Sequence, residues 1–207
     1  MDPHQRHFYL RRLHSLSGLV PIGFYMLFHV YLANATILVG PKAFDATAAT
    51  LEGTPWFMLL FIEIFFLWLP IAFHGIYGLF IVREADHNFL HYGYARNVFY
   101  SLQRYTGIIA FLFLGFHMFT TRFYNYLWGV PISYATMHGW MSNPLVFAVY
   151  LVGVLAAVFH LTNGVSTFCI TWGITVGQRA QRTVWAACTV LFVAMGVTGM
   201  AIVVAFR

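Results

Sequence analysis

Charge is what this sequence has least of. Asp, Glu, Lys and Arg together make up 8% of its 207 residues, against 60% apolar and 19% aromatic. A chain so poor in charge could not stay soluble as a monomer, which excludes a free globular enzyme. Cysteine is almost as scarce. Cys169 and Cys188 are too few to hold an iron–sulfur cluster, which takes four ligands, and they read as small buried apolar side chains. Met1 to Arg12 lack the apolar core and small-residue cleavage site of a secretory signal, so this segment is expected to be retained.

What is present are long apolar runs. A membrane-spanning helix needs about 20 such residues, and five stretches qualify: roughly 15–39, 56–82, 105–127, 144–173 and 184–206. The expectation is an all-α integral membrane protein. It would form a single transmembrane domain over residues 1–207, with no room for a soluble domain between spans. Any chemistry on a water-soluble substrate would then belong to another subunit.

The basic residues divide unevenly between the two sides. Arg6, Arg11, Arg12, Arg83, Arg96, Arg104, Arg179 and Arg182 fall on one side, and Lys42, Arg122 and Arg207 on the other. By the positive-inside rule the N-terminus faces the cytoplasm and the C-terminus the outside of a bacterial cytoplasmic (inner) membrane. The formal charge of +5 follows from this asymmetry and calls for no nucleic acid.

Each of the first four spans contains a histidine: His29, His74, His117 and His160. An ionisable ring in hydrocarbon is costly and needs a partner. The four also repeat. His29 and His117 are 88 residues apart and His74 and His160 are 86 apart, the length of a two-span unit. Gly18 precedes His29 by eleven and Gly107 precedes His117 by ten, whereas Gly78 and Gly164 each follow their histidine by four. Counted along the helices at 1.5 Å per residue, His29 and His117 lie about 20 Å from the cytoplasmic surface, and His74 about 14 Å. Two pairs follow, an outer one of His29 with His117 and an inner one of His74 with His160. Two bis-histidine centres in a protein-lined apolar bundle suit haem. Non-haem iron or zinc sites favour closer pairs on one helix, or added carboxylates, and no span carries such a pair. Residues four apart share a helix face, so Gly18, Gly78, Gly107 and Gly164 read as small residues that leave room for a flat macrocycle. The fifth span, with no histidine, is expected to be peripheral to the first four.

Elsewhere, Pro21 is expected to kink span 1. Gly40 to Gly53 reads as an external loop ending in Thr54-Pro55-Trp56, with Thr54 as N-cap and Pro55 as the first helical residue. His87 and His91, at i and i+4 in the polar stretch Arg83 to Arg104, read as ordinary exposed loop histidines on a docking surface.

Four segments together resemble the di-haem cytochrome b anchor subunit of succinate:quinone oxidoreductases and quinol:fumarate reductases, in its single-chain, five-span form. They are Arg11-Arg12-Leu13-His14-Ser15-Leu16-x-Gly18 leading to His29, Pro70-x-x-Phe73-His74-x-x-Tyr77-Gly78, Gln103-Arg104-x-Thr106-Gly107 leading to His117, and Phe159-His160-x-x-x-Gly164. The resemblance implies that these four histidines are the axial ligands of two haem b groups, and that menaquinone is the exchangeable substrate. It implies a heterotrimer with a flavoprotein carrying FAD, which interconverts succinate and fumarate, and an iron–sulfur subunit docked on the cytoplasmic face. Electrons would pass between that subunit and menaquinone through the inner and outer haems. Heterotrimers of this kind could pair further, as dimers or trimers. The resemblance also suggests Arg12, His14, Ser15 and Arg104 as partners of haem propionates.

Glu63 is the one carboxylate in the middle of a span. On a straight helix it falls within about 20° of the face of His74 and about 16 Å further out, where an intramembrane acid suits proton exchange with the quinone. Two rival readings use the same histidines differently. A haem b anchor of a hydrogenase or formate dehydrogenase would also bind quinone, but the regular one-histidine-per-span repeat argues against it. A transporter or structural membrane protein, with its histidines bonded to backbone, would be colourless.

Overall fold

The computed structural model describes residues 2–207. Five helices in it are long and apolar enough to cross a membrane: α1 (His4–Leu38), α3 (Trp56–Arg83), α4 (Ala95–Trp128), α6 (Pro144–Thr171) and α7 (Gln178–Ala205). Two short helices, α2 (Pro41–Glu52) and α5 (Tyr134–Met141), join them at one end of the bundle. The described residues include no strand.

The spanning helices overrun the apolar segments. α1 starts near residue 4, α4 at Ala95 and α7 at Gln178, in each case through polar and basic residues. Helical hydrogen bonding does not stop at the membrane surface, and nothing in these flanks breaks it. Gly40 to Gly53 is likewise a helix where a loop was expected. Gly40, at φ 143°, turns the chain, Pro41 takes the first helical position, and no proline or glycine follows before Gly53. Phe44 and Ala48, one turn apart, point into the protein. At the next entry Pro55 itself occupies the cap position, helix α3 begins at Trp56, and Thr54 makes no capping bond.

α2 and α5 close one end of the bundle. Phe44, Met137, Met141, Tyr150, Ile202, Val203 and Phe206 form the main buried cluster there, joined by Ile37 from α1. Asp45 Oδ1 accepts from the Tyr134 backbone N–H at 2.6 Å, and Glu52 Oε1 from that of Ile132 at 3.2 Å, tying the two connections together. α6 starts at Pro144, with Asn143 at the cap, its Oδ1 accepting from the N–H groups of Leu145 and Val146. Asn143→Ala should lower thermal stability by about 1 kcal/mol, the usual worth of an N-cap, as measured by unfolding in detergent.

In the middle of the bundle aromatic side chains fit against glycines. Phe111 of α4 lies over Gly75 of α3, and Phe113 over Gly153 of α6, where a Cβ would collide with the ring. α7 packs along α6, with Gly199 against Val154 and Met195 accepting a hydrogen bond from Tyr31 of α1 at its carbonyl. It carries no histidine, and its first turns line the mouth of the cavity described next.

π-helical turns interrupt three of the spanning helices, α1 at Gly18–Gly23 and Phe28–Ala33, α3 at Glu63–Trp68 and α4 at Phe119–Phe123. Pro21 lies inside one, Gly18–Gly23, and Glu63 opens another, Glu63–Trp68. A π turn holds one residue more than the α turn it replaces. α4 stays α-helical from Gly107 to His117. The π turn around Pro21 in α1 therefore absorbs the extra residue between Gly18 and His29, and brings both histidines to matching positions.

Candidate cofactor site between four helices

The four span histidines meet in the two pairs their spacing predicts. His74 of α3 faces His160 of α6, with ring centres 6.0 Å apart and planes at 85°. His29 of α1 faces His117 of α4 at 5.7 Å and 71°. Two imidazoles bound on opposite sides of one metal, each through a bond of about 2 Å, have centres about 6 Å apart. Among the described residues there is no group of three or more His, Cys, Asp and Glu placed to hold a metal ion.

The hydrogen bonds to these rings all fall on Nδ1. His74 Nδ1 lies 2.9 Å from the His14 carbonyl, and His160 Nδ1 lies 2.9 Å from the Gln103 carbonyl. A carbonyl only accepts, so both rings carry their proton on Nδ1 and leave the Nε2 lone pair free. The Gln103 amide is also 3.2 Å from His160 Nδ1. Since that nitrogen already donates, the amide N–H serves the His160 carbonyl at 3.0 Å instead. His117 Nδ1 lies 3.2 Å from the Tyr150 hydroxyl, and His29 Nδ1 3.4 Å from that of Tyr25.

His14 and Gln103 occupy equivalent places in the repeat, each four residues before a glycine. Those glycines face the neighbouring imidazole directly. A Cβ on Gly18 would overlap the His74 ring, and one on Gly107 would lie 2.8 Å from His160 Cε1. Gly78 and Gly164 have more space, at 3.2 Å from His14 Nε2 and 3.4 Å from Gln103 Nε2. His14 also stacks on His74, with ring centres 4.0 Å apart and planes at 8°.

A cavity of about 890 Å³ opens beside the His74–His160 pair, bordered by all four of these glycines. Its size is in the range of small-molecule and cofactor sites. His29 and His117 lie outside it. Of the other residues singled out by sequence, His14, Ser15 and Arg104 line the cavity and Arg12 does not. The Arg12 guanidinium lies over the rings of Phe8 and Trp172 at 4.8 and 5.0 Å. Ser15 accepts from Trp172 Nε1 at 3.0 Å. Arg104 donates to the Tyr100 carbonyl at 2.7 Å and leaves its buried Nε without a partner. Arg11, Arg96 and Arg182 line the same cavity, whereas the sequence marked them only as charge on the basic side. Their signal is the same basic-side clustering that marks Arg104. Glu84 is bonded to Arg11 at 3.0 Å, so the cavity mouth is rich in cations with one carboxylate among them.

Glu63 is buried, 7% exposed, and ion-paired with Arg122 of α4, whose Nε lies 2.7 Å from Oε1. The contact lacks the alignment of a hydrogen bond, and Glu63 Oε2 has no partner. Arg122 therefore belongs to the bundle interior and not to the surface charge on the outer side. A buried carboxylate needs a cation, and that need was the signal for this partner. The π turn between Glu63 and His74 also removes the shared helix face expected from a straight count. His87 bonds to Ser101 at 3.0 Å and stacks on Tyr105, with no role beside His91.

Five apolar spanning helices, four of which contribute one histidine each to two facing pairs, define a multi-pass membrane protein with paired-imidazole sites. The chain is 37% identical, over 97% of its length and 98% of the relative's, to the succinate dehydrogenase cytochrome b558 subunit of Bacillus subtilis (strain 168). Residues 91–200 match the family described as succinate dehydrogenase/fumarate reductase transmembrane subunit. The chain belongs to that family, and is a transmembrane subunit of this class of oxidoreductase complex.

Proposed function

We propose that the whole chain, as one transmembrane domain, is the cytochrome b anchor of a succinate dehydrogenase or fumarate reductase. It would hold two haem b groups, one between His29 and His117 and the other between His74 and His160. The observation that carries this reading is the set of Nδ1 hydrogen bonds, which leaves the Nε2 lone pairs of His74 and His160 free in two rings whose centres lie 6.0 Å apart. Outer partners of this kind are what orient imidazoles as metal ligands. The Gly18 and Gly107 clearances and the cavity beside the inner pair support the same fit.

Bound haem b supplies one-electron redox chemistry inside the membrane, linking an iron–sulfur subunit to menaquinone. The chain's own residues do the rest. The His14 and Gln103 carbonyls fix the tautomers of the inner ligands. Arg104, with its unpartnered Nε, and Arg11, Arg96 and Arg182 offer cations to propionate carboxylates at the cavity mouth. Glu63, held by Arg122 and with one oxygen free, takes or gives a proton when the quinone is reduced or oxidised. The basic N-terminal face is cytoplasmic by the positive-inside rule, and there the chain would meet the iron–sulfur subunit and, through it, the FAD flavoprotein. The test is a redox-titrated visible spectrum of the purified subunit with haem quantified per chain. Two low-spin b-type haems are expected; one or none would overturn the proposal.

A further inference from the structure

Tyr150 lies on α6, one span away from His117, and is almost fully buried at 4% exposure. Its hydroxyl has two neighbours: His117 Nδ1 at 3.2 Å and Thr120 Oγ1 at 2.7 Å. The direction of each bond follows from its surroundings. Thr120 is itself buried, at 1% exposure, and its hydroxyl lies 3.1 Å from the Phe116 carbonyl and 3.2 Å from the His117 carbonyl. Carbonyls only accept, so the single Thr120 hydrogen is donated to the backbone of α4. Thr120 Oγ1 must then accept from Tyr150 O–H, the shortest bond of the three. With its hydrogen committed to Thr120, Tyr150 can only accept at its oxygen, and it accepts from His117 Nδ1–H.

We infer that Tyr150 and Thr120 are positioning residues for His117, a relay running from imidazole to phenol to threonine to backbone that fixes the proton on Nδ1 and keeps Nε2 as the ligand. The inference rests on the proposal that His117 holds haem iron. His74 and His160 obtain the same result from backbone carbonyls, which no substitution removes. The outer ligand instead depends on two side chains, so its basicity is open to change by mutation. A hydrogen bond from the distal ring nitrogen increases electron donation to the metal, and losing it favours the reduced form.

The experiment measures the midpoint potentials of both haems in the purified subunit for Tyr150→Phe, Thr120→Val, Thr120→Ser and the double variant Tyr150→Phe/Thr120→Val. Tyr150→Phe should raise the potential of one haem and leave the other where it was. Thr120→Val frees the phenol hydrogen to turn toward His117, opposing the Nδ1 proton, and should perturb the same haem. Thr120→Ser should restore wild-type behaviour. The double variant should match Tyr150→Phe alone, because both residues act through one chain of bonds. Unchanged potentials in Tyr150→Phe with both haems bound, or additive shifts in the double variant, would overturn the relay. Absence of the outer haem from the unaltered chain would instead overturn the ligand proposal, and the relay with it.

Discussion

Alanine at Gly18 should remove one haem from the chain, and the same one that alanine at His74 or His160 removes. The histidine substitutions delete a ligand. Gly18→Ala acts by crowding, since its new methyl would overlap the His74 ring, which the His14 carbonyl and the stacked His14 ring, one turn earlier on the same helix, already contact. A graded series separates this from general damage to α1 and α4. Gly107→Ala, with its Cβ 2.8 Å from His160 Cε1, should weaken the same haem less severely. Gly78→Ala and Gly164→Ala meet side-chain ends at 3.2 and 3.4 Å and should retain both haems. His29→Ala and His117→Ala should remove the other haem and leave this one. Haem content per chain and the low-spin visible bands read all of these outcomes. If Gly18→Ala retained both haems with wild-type spectra, the contact between α1 and His74 would be no constraint on the ligand. If His74→Ala and His160→Ala removed different haems, the pairing itself would fail.

The pairing could be read from sequence because an apolar chain leaves few polar residues to explain. Four histidines at one per span, separated by nearly one repeat, allow few arrangements between parallel helices. What could not be read was local rotation. Arg11 and Arg12 are adjacent, so their side chains point about 100° apart on the helix, and only the packed structure shows that Arg11 lines the cavity while Arg12 lies over Trp172. The π turns were hidden for the same reason. The one-residue mismatch between Gly18–His29 and Gly107–His117 was visible, but it became meaningful only once α1 proved to hold an extra residue in the turn around Pro21. α2 escaped notice because a stretch of Ala and Thr with scattered charge has no strong period, and its buried Phe44 gains meaning only once the fold brings Ile37, Met137 and Phe206 around it. Tyr150 and Thr120 had no sequence signal as a pair, being thirty residues apart on different helices.

The largest effect on stability should come from Arg122. Counted by loops it was one of three cations on the outer side, yet in the fold it meets Glu63 across α3 and α4. Removing one partner of a buried ion pair costs about 3–5 kcal/mol, because the other is left uncompensated, whereas replacing both is often close to neutral. The two partners are not equivalent. Without Glu63, Arg122 keeps the Tyr126 hydroxyl at 3.1 Å and the face of that ring at 4.3 Å. Without Arg122, Glu63 has lost its cation and already has one oxygen unpartnered. Arg122→Gln should therefore destabilise more than Glu63→Gln, and Glu63→Gln/Arg122→Leu less than Arg122→Gln alone, as read by thermal unfolding in detergent. Stability and proton handling then separate. Glu63→Gln should retain both haems while lowering quinone-coupled turnover of the assembled complex, because an amide cannot exchange a proton as a carboxyl does. Arg122→Gln combines lower turnover with lower stability. Full turnover in Glu63→Gln would show that the carboxylate serves only to balance Arg122, and that the quinone exchanges its protons elsewhere.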